Sequence, residues 1–370
     1  MRRILILEPY FGGSHKLFLS GLQETVKAEY TLLTLPARKW KMRMQLSALW
    51  FIQEIKKIPE EQRIFDTVLC STFVDVAVLR SLLVSVTGWN SETRIVTYFH
   101  ENQFAYPGQI ADPTIRQFTA INFTTAMASD SCAFNSSYNL ESFLSAIGSS
   151  LKKATDIKLP GCVDEIRRKS VILYPGMDYS VIDQATGTRT KKNNSPPVIV
   201  WNHRWEHDKG PELFFDALYF LQKKGVDFRL IVMGESFKKK PVCFEEAAIR
   251  LEKEMIHFGY AESLEEYAKL LHQGDLIIST AKHEFFGISV LEGIRAGCYP
   301  LLPADLSYPE LYDKHYLYEP GKLAKRLLEF IKDPIHLEHK AVQNLTDLFD
   351  WKECKYKYEK FLFRNTLELR

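Results

Sequence analysis

Short apolar runs alternate along this chain with longer stretches of helical spacing, the pattern of a parallel sheet wrapped by helices. In the first half the runs are ILIL (4–7), TLLTL (31–35), TVLCS (67–71), RIVTYF (94–99) and SCAFNS (131–136), with VILYPGMD (171–178) as the last strand and its exit. GTRTKKNNSPP (187–197) follows, polar, basic and without apolar period, and reads as an interdomain linker. The pattern restarts with VIVWN (198–202), FRLIVMG (228–234), IHFG (256–259) and DLIIST (275–280). Between them PELFFDALYFLQKKG has helical spacing and ends on a C-cap glycine, Gly225. Residues 288–296 predict a further helix, and in the tail Trp351, Tyr358, Phe361 and Leu362 share one helical face. The expected class is α/β, with Rossmann-like halves at 1–186 and 198–345, the linker between them, and a C-terminal helix in 346–370.

A chain of 370 residues exceeds what one core usually serves, in agreement with two domains. Its 46% apolar and 13% aromatic content excludes a disordered or fibrous chain. The net charge of +2 favours no class of partner, because a local patch can hide inside a balanced total. The six cysteines form no CxxC pair, which suits a reducing compartment. No segment has the length and apolarity of a bilayer span, and MRRILILEPY is too short in its apolar part for a secretion signal. These features predict a soluble cytoplasmic protein with no membrane partner.

In doubly wound sheets ligands bind where strands end, so each strand exit carries candidate chemistry. In EPYFGGSHK, Gly12 and Gly13 could let backbone amides approach an anion at a helix N-terminus, or simply make a tight turn. YFHENQFAYPG crowds hydrogen-bonding groups at the fourth exit: His100 could polarise a hydroxyl and Glu101 accept a proton, against the alternative of a capped turn. Arg204 and Lys209 follow VIVWN and could converge on a diphosphate; lone surface charges are the alternative. KHEFFGISVLEG (282–293) puts Glu284 in a loop and Glu292 in the following helix, spaced E-x7-E. The carboxylates can accept hydrogen bonds from vicinal diols, and the amides of Ile288 and Ser289 lie at the helix start between them; a capped helix with a solvated Glu292 is equally open. PARKWKMR (36–43) could meet RNA phosphates with Arg38, Lys39, Lys41 and Arg43 and stack Trp40 on a base, or begin a solvated helix over a buried Trp. There is no DxD, the sequence of a metal–diphosphate clamp, so no metal is expected.

The combination resembles the retaining, nucleotide-sugar-dependent glycosyltransferases of the GT-B fold. EPYFGGSHK, LPARKWKMR, YFHENQFAYP, WNHRWEHDKG and TAKHEFFGISVLEG, followed by GCYPLLP and LSYPE, are similar to phrases of the tRNA-queuosine mannosyltransferases and lie in both halves. The resemblance implies two Rossmann-like domains facing each other across a cleft, with the C-terminal helix packing back on the N-terminal domain. It implies GDP-mannose as donor and, as acceptor, a cyclopentene hydroxyl of queuosine at the wobble position of tRNA-Asp, with no cofactor. It implies a catalytic set of His100, Arg204, Lys209 and Glu284. Donor contacts fall on Gly12, Gly13, Arg204, Lys209, Phe258, Gly259, Tyr260, Glu284, Gly287, Ile288, Ser289 and Glu292, with Glu292 on the ribose and 258–260 on the base. Acceptor contacts fall on Arg38, Lys39, Trp40, Lys41, Arg43, Glu101 and Asn102. One departure stands out: Asn202-His203 replaces the usual glycine before the first cation. Rival readings are a GT-B transferase with another nucleotide sugar and a lipid or small-glycoside acceptor, and a noncatalytic RNA-binding protein on that scaffold.

Overall fold

The computed structural model describes residues 1–105, 115–154, 156–185, 195–236 and 240–363. The chain divides into two compact units, one of Met1–Met177 with the C-terminal segment from Trp351, the other of Asp178–Asp350. The linker expected at 187–197 falls largely outside the described residues, and residues 178–185 group with the second unit.

In the first unit six parallel strands, β1 (Arg3–Phe11), β2 (Glu29–Pro36), β3 (Thr67–Ser71), β4 (Arg94–Phe99), β5 (Ser131–Phe134) and β6 (Ser170–Ile172), form a sheet in the order β2-β1-β3-β4-β5-β6. The apolar runs are unbroken because helices cover both faces. Alternation appears in their partners instead: Ile4 and Ile6 pack with Phe18, Leu22, Trp351 and Tyr358, while Leu5 and Leu7 pack with Phe51, Ile52 and Leu79. The C-terminal helix Trp351–Phe363 buries Trp351, Cys354, Tyr358, Phe361 and Leu362, the face the sequence predicts plus one cysteine. Its last turn is held by Thr67 Oγ1, which donates to the Leu362 carbonyl at 2.6 Å, and by Arg94, which donates to that of Phe361 at 2.8 Å.

In the second unit β7 (Val198–Asn202), β8 (Arg229–Met233), β9 (Met255–Gly259), β10 (Leu276–Ile278), β11 (Tyr299–Pro303) and β12 (Leu317–Tyr318) form a parallel sheet in the order β12-β11-β10-β7-β8-β9. β10 is shorter than the expected 275–280 run because Ser279 and Thr280 turn aside to bond. Trp201 Nε1 donates to Thr280 Oγ1 at 3.0 Å and Tyr308 donates to Ser279 Oγ at 2.7 Å. The pattern does not predict β11, since Pro300 and Pro303 read as strand breakers; Pro300 nevertheless sits opposite Ile277 in the ladder. The helix Pro211–Lys223 begins on its proline, and Gly225 follows its end as expected.

Candidate functional site

At the first strand exit, β1 loses its regular register with β2 between Glu8 and Phe11, and the chain enters the helix Gly13–Thr25. Glu8 is buried, and its Oε1 accepts from the Tyr10 amide at 2.7 Å and from Ser71 Oγ at 3.1 Å. Its Oε2 lies 2.9 Å from His15 Nδ1, and His15 Nε2 lies 3.5 Å from Glu101 Oε2. The imidazole of His15 is therefore clasped by two carboxylates. The rings of His15 and His100 approach to 4.0 Å. Burial alone would lower the His15 pKa, but the charges and hydrogen bonds of Glu8 and Glu101 prevail and raise it to about 10. Burial and the neighbouring His15 charge push His100 well down. One imidazolium thus stands against one neutral imidazole. Glu8, His15 and His100 hold three potential metal-ligand atoms within 4.8 Å, although the Glu8 oxygens and both His15 nitrogens already have partners.

Sequence reasoning singles out neither Glu8 nor His15. The available signal was a carboxylate at the end of an apolar run with a histidine in the first turn of the next helix. Of the residues expected here, the structure brings His100 and Glu101 into the cluster, and Glu101 Oε1 is buried without a hydrogen-bond partner. Asn102 is fully buried elsewhere: its amide donates to Asn139 Oδ1 at 2.8 Å and to Ser142 Oγ at 3.1 Å, while its Oδ1 accepts from the amides of Phe104 and Ala105. It fastens the loop. Gly12 is small for a packing reason, since a Cβ there would meet that of Ala37 at 2.6 Å, whereas Gly13 adopts φ 49° beside open space.

Farther along this unit, Arg38 and Lys39 precede the helix Trp40–Lys57, which carries Lys41 and Arg43. The Trp40 ring packs on Phe118 at 5.1 Å and Phe73 at 6.3 Å, so it belongs to an aromatic cluster of the unit rather than standing free to stack on a base.

The second unit gathers Asn202, His203, Lys209, Glu284, Ser289 and Glu292 around the ends of β7 and β10. Lys209, in the short turn His207–Lys209, is buried; its Nζ donates to the His283 carbonyl at 3.0 Å and to Glu284 Oε2 at 3.1 Å, with Asp208 at 3.6 Å. Glu284 Oε1 accepts from the amides of Phe285 at 3.1 Å and Phe286 at 3.3 Å. Burial acts to raise the Glu284 pKa, but Lys209 and these hydrogen bonds bring it down to about 2. His203 and His283 are each lowered to about 4, by burial first and Lys209 second, so neither adds positive charge at neutral pH. The His203 Nδ1 reaches Ser289 Oγ at 3.4 Å and its buried Nε2 has no hydrogen-bond partner.

Gly287 caps the helix Ile288–Arg295 at φ 97°, a conformation that favours glycine, and a Cβ there would meet the Tyr308 ring at 3.2 Å. The first-turn amides of Ile288 and Ser289 have no helical carbonyl to bond. Inside this helix Glu292 Oε2 accepts a 2.5 Å hydrogen bond from the Tyr267 hydroxyl, which itself accepts from Asn202 Nδ2. Burial raises the Glu292 pKa to about 7, a shift that the Tyr267 bond limits. Asn202 thus has a use that glycine could not serve. Arg204 pairs with Glu206 at 3.0 Å and is half exposed. Phe258 packs at a tilt against Trp205 with ring centroids 4.8 Å apart, Gly259 ends β9, and Tyr260 is exposed. Among the expected second-unit residues, Lys209 and Glu284 are in direct contact, Ser289 reaches His203, whose ring feels the charges of both, and Glu292 belongs to the Asn202–Tyr267 chain.

Residues 3–177 match the model of the tRNA-queuosine alpha-mannosyltransferase N-terminal domain, and residues 185–346 match glycosyl transferases group 1. A tRNA-queuosine alpha-mannosyltransferase of Drosophila melanogaster is 35% identical over 338 residues, covering 90% of this chain and 87% of the relative. The chain belongs to the tRNA-queuosine alpha-mannosyltransferase family. It is a glycosyltransferase, and its fold is GT-B. A UDP complex of Anabaena HepE superposes with a TM-score of 0.65 at 14% identity, covering 100% of this chain and 97% of that one. A UDP-forming trehalose-phosphate synthase from Burkholderia xenovorans gives 0.68 at 12% identity, with 99% of each chain covered. Among the described residues, no helix of this family member is long and apolar enough to cross a membrane.

Proposed function

We propose that this glycosyltransferase moves mannose from GDP-mannose to a cyclopentene hydroxyl of queuosine at the wobble position of tRNA-Asp, with retention at the anomeric carbon and without a metal. The acceptor and sugar follow the name of the Drosophila relative, and the observation that carries the chemistry is the buried contact of Lys209 with Glu284 beside the amides of Ile288 and Ser289. A nucleoside diphosphate would give Lys209 and Arg204 an anion to neutralise. Glu284 would then grip hexose hydroxyls and Glu292 the ribose diol. The bond from the anomeric carbon to the departing phosphate oxygen breaks as the queuosine hydroxyl attacks from the same face, and its proton passes to that phosphate oxygen. Stabilising the departing charge with preorganised cations and amides is the largest contribution such a site can make. The neutral His100 suits hydrogen bonding to a sugar hydroxyl, since a second fixed positive charge beside His15 would be costly. A cytoplasmic location follows from a tRNA acceptor.

The test is incubation with GDP-mannose and queuosine-containing tRNA, digestion to nucleosides, and mass spectrometry. Mannosyl-queuosine with GDP-mannose alone among the donors offered is expected. Transfer from a UDP-sugar instead, or no product on queuosine, overturns the donor or the acceptor respectively. Full activity in excess chelator is expected; loss restored only by added metal would overturn metal independence.

A further inference from the structure

Between the open edge of β2 and the first turns of the helix Trp40–Lys57 lies a groove of about 500 Å³. Its apolar side is made by Met42, Leu46 and Trp50, one helix face at steps of four residues, and its charged side by Arg38, Lys39 and Arg43. Met42 and Leu46 are half exposed although apolar. From residue 30 to residue 53 the chain carries Arg38, Lys39, Lys41 and Arg43 and no acidic residue. Two further observations set this groove apart from an ordinary surface furrow. Arg43 Nε is buried with no hydrogen-bond partner, and Lys39 holds φ 54°, left-handed backbone unfavourable for lysine.

We propose that this groove binds unpaired nucleotides of the acceptor RNA loop, with a base against Met42, Leu46 and Trp50 and backbone phosphates on Arg38, Lys39 and Arg43. The inference rests on the tRNA reading above and deepens it. Single strands are gripped by apolar or aromatic platforms beside cations that track the backbone, and the groove supplies both in one stretch of chain. It also moves the stacking role from Trp40, whose ring packs on Phe118, to the face of Met42, Leu46 and Trp50 further along the same helix. The apolar positions are half exposed and flanked by cations in the same groove, which fits a planar base with its phosphates.

The experiment measures binding of the full-length chain to queuosine-containing tRNA by fluorescence anisotropy across a salt series. Arg38→Glu and Leu46→Asp are each expected to weaken binding about tenfold, and only Arg38→Glu should flatten the salt slope. Lys56→Glu, at the far end of the same helix, should change neither. Unaltered melting temperature and GDP-mannose affinity identify folded variants, and Leu46→Gln replaces Leu46→Asp if that variant fails to fold. Thiouridine placed in the unpaired anticodon-loop positions should crosslink to peptides within residues 35–50. Undiminished affinity in the groove variants, equal weakening by Lys56→Glu, or crosslinks confined elsewhere would overturn the proposal. So would Leu46-dependent sedimentation with phosphatidylserine vesicles while tRNA affinity stays intact. If the chain binds and crosslinks RNA here yet transfers no mannose, the function proposed above fails and the groove stands; transfer with unchanged affinity in the variants is the reverse.

Discussion

Lys209 and Glu284 lie 75 positions apart in sequence and meet as a buried ion pair, Nζ to Oε2 3.1 Å. Lys209 holds Glu284 in the charged state that burial alone would oppose, and both are placed by loops that leave parallel strands of one sheet.

Removing the cation should therefore cost stability as well as activity. Lys209→Met strands a largely buried carboxylate and should lower the unfolding free energy by on the order of 2–3 kcal/mol in urea melts at pH 7. The double variant Lys209→Met with Glu284→Gln should recover most of that stability and none of the transfer. The carboxyl pKa falls from 4.5 to about 2 on folding, so this stabilisation is complete above pH 4.5 and is lost as pH drops towards 2. An acid titration of the melting temperature checks it.

Glu292 has the opposite sign. Its folded pKa of about 7 exceeds the ordinary 4.5, so the folded chain binds the extra proton, and stability declines as pH rises from 4.5 to 7 and is level above that. Glu292→Gln should therefore raise the melting temperature above pH 7 relative to the parent and leave it near the parent value below pH 4.5. With Glu292 on the donor ribose as proposed above, GDP-mannose affinity should climb through pH 7 in the parent and lose that climb in the variant.

Tyr267 positions Glu292 through the hydroxyl it shares with Asn202. Without it, burial acts on Glu292 less opposed. Tyr267→Phe should raise KM for GDP-mannose about tenfold with a smaller change in kcat, and move the midpoint of the affinity–pH curve above 7. A KM rise with an unmoved midpoint would reduce Tyr267 to packing.

The His15 imidazolium makes a third pH signature. Its pKa of about 10 against the ordinary 6.5 means its stabilisation is complete below pH 6.5 and vanishes as pH climbs through 10. The parent should lose thermal stability between pH 7 and 10 more steeply than Glu8→Gln, in which the closest carboxylate is gone. Titration of the His15 ring by NMR should show its pKa lowered in that variant.

Much of this architecture is legible from residue order because parallel strands covered on both faces read as unbroken apolar runs; β1, β3 and β4 have that character. β11 escapes notice since prolines look like breakers, and a short strand ordered by its neighbour tolerates Pro300. At the sites, loop residues such as His100, Lys209 and Glu284 stand out because strand exits are where polar groups cluster. Glu8 hides because it sits within a strand run, Tyr267 because it belongs to a separate helix and only tertiary packing brings it to Glu292. The polar type of Asn102 is equally visible, but residue type alone does not say that the side chain points inward to tie its own loop.

The amide of Trp351 donates to the Met177 carbonyl at 3.2 Å, so the two places where the chain leaves and re-enters the first unit are stitched together. Topologically, residues 178–350 are a cassette spliced into a finished sheet, and the terminal helix completes the hydrophobic cover that the first 177 residues lack. Translation of those 177 residues alone leaves Ile4, Ile6 and Tyr98 with Phe18 and Leu22 for cover but without Trp351, Tyr358, Phe361 and Leu362, so that side of the host sheet is closed only after the cassette has been made. Splicing the cassette out, with a short Gly-Ser bridge from Met177 to Trp351, is the shortest route to a freestanding first unit.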